Sequence, residues 1–251
     1  MKSYYIIIIS MLGLLSFTAC TKYDNYEKPS MTLKGAITDS VTGQGLQTQL
    51  GDNGVRFRMR DLSYKASPTP WYFTCKQNGE FECAMVPAGT YNVTPLGPFI
   101  PLVLTDSNGD TTRNGSITVD INGSVTKNFT VVPFLVVTWI GKPVVNNDKT
   151  ITVQFKVTRG TTDAAFQQEC TNIYLYVNSS SFNVGDNNYD SRYTVAVNNP
   201  NDVLGQTLTV TTPALPYANT NYYLRAGARI NYSVEGTNRY NYNEAIEVKV
   251  P

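Results

Sequence analysis

Apolar and polar residues alternate with a period of two along most of this chain. Val55, Phe57 and Met59 alternate with Arg56, Arg58 and Arg60. Residues 71–75, the pair Asn78-Gly79 and residues 81–83 read as a hairpin. Ile117, Val119 and Ile121 alternate, Asn122-Gly123 supplies a turn, and Val125, Phe129 and Val131 follow. The second half repeats the pattern in Ile151, Val153, Phe155 and Val157, in Ile173, Leu175 and Val177, and in Ile246, Val248 and Val250. Strand side chains alternate between two faces, so each set marks one buried face. No stretch sustains the helical period. The expectation is an all-β protein of two β-sandwich domains, residues 31–133 and 134–251, meeting near Pro133–Phe134 with almost no linker.

The opening breaks the alternation. Met1-Lys2-Ser3 precedes an apolar run, residues 4–15, which is shorter than the ~20 residues a membrane span needs. The run ends in Phe17-Thr18-Ala19-Cys20, which resembles the lipobox of bacterial lipoproteins. Residues 1–19 are therefore expected to be a signal peptide, Cys20 the lipid attachment site, and residues 20–30 the lipidated Cys with a polar tether to a membrane. At ~0.8 kcal/mol per buried methylene, two or more acyl chains make a stable anchor.

Charge and composition narrow the chemistry. Removing residues 1–19 takes away Lys2 and leaves basic and acidic residues equal at 19 each. Such balance gives no electrostatic footprint for nucleic acid. There are 17 Tyr and no His, which excludes Ser-His-Asp and Cys-His catalysis and the commonest metal ligand. Cys75 and Cys83 flank Gln77-Asn78-Gly79 and are either bridged across that turn or free thiols. Asp106-Ser107-Asn108-Gly109-Asp110 and Asp186-Asn187-Asn188-Tyr189-Asp190 start like calcium loops. Both lack Gly at the sixth position and Glu at the twelfth, where Thr111 and Ser191, and Ile117 and Val197, stand. Ordinary turns account for them equally well. Arg56, Arg58 and Arg60 form either a solvated face or a patch for an acidic ligand. Asp39-Ser40-Val41 and Asp110-Thr111-Thr112 resemble bacterial O-glycosylation acceptors, or are unmodified turns. No catalytic residue, metal site or cofactor is expected.

Two longer patterns point to known domains. Residues 35–46, Gly-Ala-Ile-Thr-Asp-Ser-Val-Thr-Gly-Gln-Gly-Leu, followed by Asn78-Gly79-Glu80-Phe81 and by residues 86–93, resemble carboxypeptidase-regulatory-like, transthyretin-like domains. Gly45 stands where those domains usually carry Pro. Leu215-Pro216 with Asn219-Thr220-Asn221-Tyr222 resembles the tyrosine corner of immunoglobulin and fibronectin type III sandwiches. With Val131-Val132-Pro133-Phe134 and the lipobox, the chain resembles a family of uncharacterised two-domain lipoproteins of Bacteroidetes found among starch-utilisation-like glycan uptake systems. The resemblance implies an outer-membrane location, on the surface or the periplasmic face, and an outer-membrane transporter complex as partner. Asp24 and Glu27 near Cys20 favour the surface. The function it implies is non-enzymatic binding or presentation of a polysaccharide or oligosaccharide. The rival readings are a structural scaffold subunit and a carboxylate-dependent glycoside hydrolase.

Alternation also predicts where a ligand would sit. With Ile173, Leu175 and Val177 facing inward, Tyr174 and Tyr176 face outward. With Tyr222, Leu224, Ala226, Ala228 and Ile230 inward, Tyr223 and Arg225 face outward on the neighbouring strand. Tyr232, Tyr240 and Tyr242 of the following segment extend this aromatic patch, and Trp71 of the first domain is a separate candidate. The alternative is that the first domain covers the patch.

Overall fold

The computed structural model describes residues 28–63 and 68–251. The signal segment, Cys20 and most of the tether lie outside the described residues. The first domain runs through β1 (Met31–Asp39), β2 (Arg56–Asp61), β3 (Trp71–Thr74), β4 (Glu80–Val86), β5 (Gly89–Leu96), β6 (Val103–Thr105), β7 (Thr111–Asn114), β8 (Ile117–Ile121), β9 (Ser124–Thr126) and β10 (Phe129–Val131). The second runs through β11 (Leu135–Trp139), β12 (Val144–Val145), β13 (Ile151–Arg159), β14 (Cys170–Asn178), β15 (Val195–Ala196), β16 (Thr207–Thr211), β17 (Thr220–Ile230), β18 (Asn241–Tyr242) and β19 (Ile246–Val250). A 3-10 turn, Ala164–Phe166, interrupts the strands. Among the described residues no helix is long and apolar enough to cross a membrane.

Each domain packs one sheet on another. In the first, the antiparallel sheet β3-β2-β5-β8 faces β4-β1, with β9 and β10 adding in parallel along the far edge of β1. The alternation in β2 does what it predicted. Phe57 and Met59 are sealed in the core with Val55, while the three Arg stay partly exposed. Phe57 stacks on Phe73 at 4.7 Å and meets Phe81 at 4.2 Å. In the second domain, β11 and β12 share one edge of β13, with β16 on the other. The opposing sheet runs β15-β14-β17, with β18 and β19 both on β17. Ile151, Val153, Phe155 and Val157 interdigitate with Ile173, Leu175, Val177, Leu224 and Ala226.

The hairpin expected at residues 71–83 is absent as a hairpin. Asn78-Gly79 does turn, with Gly79 at φ +83°. However, β3 pairs with β2 and β4 pairs with β1, so the turn carries the chain from one sheet to the other. The carbonyls of Gln77 and Gly79 accept from Thr48 N and Ile37 N, both at 2.9 Å, which ties the turn into the opposite layer. Asn122-Gly123 likewise joins β8, which pairs with β5, to β9, which pairs with β1. Periodicity marks strands, but it does not say which strand a neighbour in sequence will pair with. Cys75, just past the end of β3, and Cys83, in β4, are consequently free thiols, and burial pushes the Cys75 thiol up to about 12.

The corner at Tyr222 forms as its residues predict. The buried Tyr222 hydroxyl accepts from Tyr217 N at 3.1 Å and donates to Tyr217 O at 3.3 Å. Tyr222→Phe removes both bonds while keeping the ring. We expect a loss of about 1 kcal/mol in urea denaturation. An unchanged midpoint would show that the corner contributes nothing beyond its ring.

Candidate functional site

The predicted aromatic face assembles on one sheet. Tyr176 lies opposite Arg225 and Asn178 opposite Tyr223 across the β14–β17 pair. It does not face solvent, and this corrects the expectation of an outward patch. Arg225, Tyr176, Tyr240 and Tyr242 are all buried, and Tyr174 and Tyr223 are partly covered. The cover is the first-domain segment around Thr48 and Gln49, itself buried. Tyr232 turns elsewhere, packing on Phe134 at 5.2 Å and on Phe166 at 5.3 Å. Trp71 is half-buried at the edge of the first domain, against Phe73 and edge-on to Tyr91.

Hydrogen bonding explains how a cation survives in that interface. Arg225 Nε donates to Asn243 O (2.8 Å), and Nη1 donates to Thr48 O (2.8 Å) and Val184 O (3.3 Å). Nη2 donates to Gln47 Oε1 at 3.4 Å, and the guanidinium sits 4.4 Å from the Tyr242 ring centroid. Carbonyl dipoles and a π face replace hydration without a carboxylate. Burial lowers the Arg225 pKa to about 9, so the cation persists at neutral pH. Arg239 repeats the device, donating to Gly54 O (2.9 Å), Asp52 O (3.2 Å) and Val234 O (2.7 Å). Tyr242 Oη donates to Gln49 Oε1 at 2.5 Å and accepts from Asp186 N at 3.1 Å. Arg56 and Arg58 both pair with Glu235, at 3.1 and 2.5 Å. Arg56 and Arg58 of the β2 row thus take part in a domain contact.

The two loops that start like calcium sites are turns. Asp106 Oδ1 accepts from Asn108 N and Asp110 N, both at 2.9 Å. Asp186 Oδ1 accepts from Tyr176 Oη at 3.1 Å, and Asp190 pairs with Arg192 at 2.7 Å. Among the described residues, no three His, Cys, Asp or Glu side chains come together as metal ligands.

Beside the interface the domains leave a cleft of about 760 Å³. One wall is first-domain chain from Ala36 to Gln47 with Asn78 and Glu80. The second is β11, and the third is residues 241–244. β11 is the end strand of its sheet. Ile140 N donates to Gln154 O and Gly160 N to Phe134 O, so the even-numbered residues of β11 face β13. Val137 and Trp139 therefore turn their backbone groups toward the open edge, where Leu135 N already meets Asn241 Oδ1 at 3.1 Å. The half-buried Trp139 packs edge-on to Phe155 and donates from Nε1 to Glu244 O at 2.8 Å. Asn243, 5% exposed, also lines the cleft. Its Oδ1 accepts from Ala226 N, while its Nδ2 has no partner among the protein atoms. The sequence reading missed this cleft. The signal available was Trp139, one of two tryptophans, at the end of an apolar run.

Comparison with known proteins places the chain. It is 32% identical to a DUF3823 family protein of Bacteroides uniformis, covering 89% of this chain and 100% of that one, with a TM-score of 0.80. This chain belongs to the DUF3823 family. The family's N-terminal domain, described as a protein of unknown function, matches residues 31–132. Its C-terminal domain, described as a domain of unknown function, matches residues 140–245. The cleft draws walls from both matched ranges, and β11 falls between them. A second Bacteroides uniformis protein, provisionally designated carbohydrate binding, is 24% identical over 88% of this chain and 100% of its own, with a TM-score of 0.64. A DUF3823 protein of Parabacteroides merdae shares the fold at 18% identity over 89% of this chain and 100% of its own, with a TM-score of 0.62. No curated protein matches this chain.

Proposed function

We propose that this protein is a non-enzymatic lipoprotein of the outer membrane that holds a glycan in the cleft between its domains and presents it to an uptake complex. The observation that carries the reading is the cleft, where an aromatic wall at Trp139 adjoins amide side chains and an open strand edge. Ligand sites favour domain junctions of this kind, with a few fixed polar groups on an apolar wall. A sugar ring stacks a C–H face on the accessible part of Trp139, and its hydroxyls meet Asn78, Gln44 and the backbone of β11. The provisional carbohydrate-binding designation of one relative supports the same class of ligand. Lipidation at Cys20 supplies the anchor, and the uptake complex is the partner that the family resemblance implies.

The hydrolase reading finds less support. A glycosidase general acid needs a raised carboxyl pKa. The exposed Glu80 is instead held below the ordinary range by hydrogen bonds from Lys76 and Asn78 and by the Lys76 charge. Asp39 Oδ1 is occupied by Val41 N and Thr42 N.

The test is a polysaccharide array probed with the chain from Thr21 onward, followed by Trp139→Ala on whatever binds. Loss of the ring should weaken binding about tenfold, near 1.4 kcal/mol. The variant's fold is checked by circular dichroism. A folded Trp139→Ala protein that binds undiminished would remove the cleft from the account.

A further inference from the structure

We infer that the cleft selects neutral, hydroxyl-rich oligosaccharides and excludes anionic ones such as uronates and sulfated sugars; this rests on the cleft being the glycan site. Its lining contains three carboxylates, Asp39, Glu80 and Glu244, and no Lys or Arg. The chain as a whole is nearly balanced, at 20 basic and 19 acidic residues, so this one-sided lining is a local property. Glu80 and Glu244 are both exposed; Glu244 makes no ion pair among the described residues, while Glu80 shares its charge with Lys76. Cations lie close by without entering the lining, and one of them, Lys156, stands opposite the cleft-lining Thr138 in the β11–β13 pair with no ion pair among the described residues. Lys76 is committed to Glu80 at 3.1 Å. Arg225 lies behind Tyr242, fully buried, with its donors taken by carbonyl oxygens and Gln47 Oε1. An anionic sugar entering the cleft would give up water and meet like charge with no cation in the lining itself to answer it. A neutral sugar meets what its hydroxyls need: carboxylate and carbonyl acceptors, the amides of Asn78 and Gln44, and the outward-turned backbone of Val137 and Trp139.

The experiment titrates the full chain in detergent with two matched panels by calorimetry, at low and at physiological salt. The neutral panel holds manno-, xylo-, cello- and malto-oligosaccharides. The acidic panel holds oligogalacturonates and chondroitin sulfate fragments. The expected result is binding within the neutral panel, with every acidic ligand at least about tenfold weaker and the gap narrowing as salt screens the carboxylates. The variant Glu80→Gln/Glu244→Gln should narrow the acidic-to-neutral ratio. Both side chains are exposed, so its fold is secure, and its circular dichroism is compared with wild type. Acidic ligands binding as tightly as neutral ones would overturn the inference, as would a ratio unmoved in the double variant. Binding by neither panel is a different failure, since it rejects the cleft as a glycan site and the inference with it.

Discussion

Arg225→Ala is expected to destabilise the protein by about 3–5 kcal/mol, the range for leaving the partners of a buried charge unanswered. The reason lies in what the guanidinium holds. It bonds Thr48 O from the first domain and Asn243 O and Val184 O from the second, so one side chain satisfies carbonyls on both sides of the interface. Truncation strands those carbonyls away from water and leaves a cavity beside Tyr242. Arg225→Lys keeps a charge but loses the planar fork, and should fall between wild type and Ala. Urea denaturation is followed through Trp71 in the first domain and Trp139 in the second, each in a background where the other is Phe. Wild type should give coincident transitions. Arg225→Ala should lower both midpoints and separate them, because the domains lose their joint. A loss below about 1 kcal/mol would show that the interface is held elsewhere.

Gly35→Ala is the second large effect, and its cause is steric. A Cβ at Gly35 would lie 1.8 Å from Lys127 O and 3.0 Å from the Phe81 ring. The carbonyl belongs to the segment between β9 and β10, which is tied on both sides: Lys127 N donates to Lys34 O (2.9 Å) and Ala36 N donates to Asn128 Oδ1 (3.0 Å). Relief requires β1 to move off its parallel partners, opening the first-domain core around Leu33 and Ile37. Overpacking of this kind costs about 3 kcal/mol. The check is the melting temperature of the folded variant against wild type. A variant of unchanged stability would mean the β9–β10 segment is free to give way.

Much of the fold was legible because period-two alternation reports burial directly. Val55, Phe57 and Met59, Ile151 to Val157, and Ile173 to Val177 are core residues in the structure as in the pattern. The corner at Tyr222 was legible from its local sequence. Pairing partners were not, since a turn at Asn78-Gly79 closes a hairpin or crosses between sheets depending on contacts with Thr48 and Ile37, more than 25 residues away in sequence. The aromatic face shows the same division. Alternation put Tyr174, Tyr176, Tyr223 and Arg225 on one face of adjacent strands, and they are there. Whether such a face meets water or another domain depends on where the loop carrying Thr48 and Gln49 lands, and no periodicity encodes that. The cleft was hidden for a related reason: its walls come from chain about 200 residues apart, so the site exists only after the domains dock.

The most direct test of the glycan cleft uses the two tryptophans. In a nitrogen-15-labelled protein each indole N–H gives one signal, and Trp71→Phe and Trp139→Phe assign the pair. Titration with a glycan that binds should shift the Trp139 indole, which lines the cleft and bonds Glu244 O, and leave the Trp71 indole in place. A bound glycan that shifts Trp71 alone, or neither indole, would contradict the account.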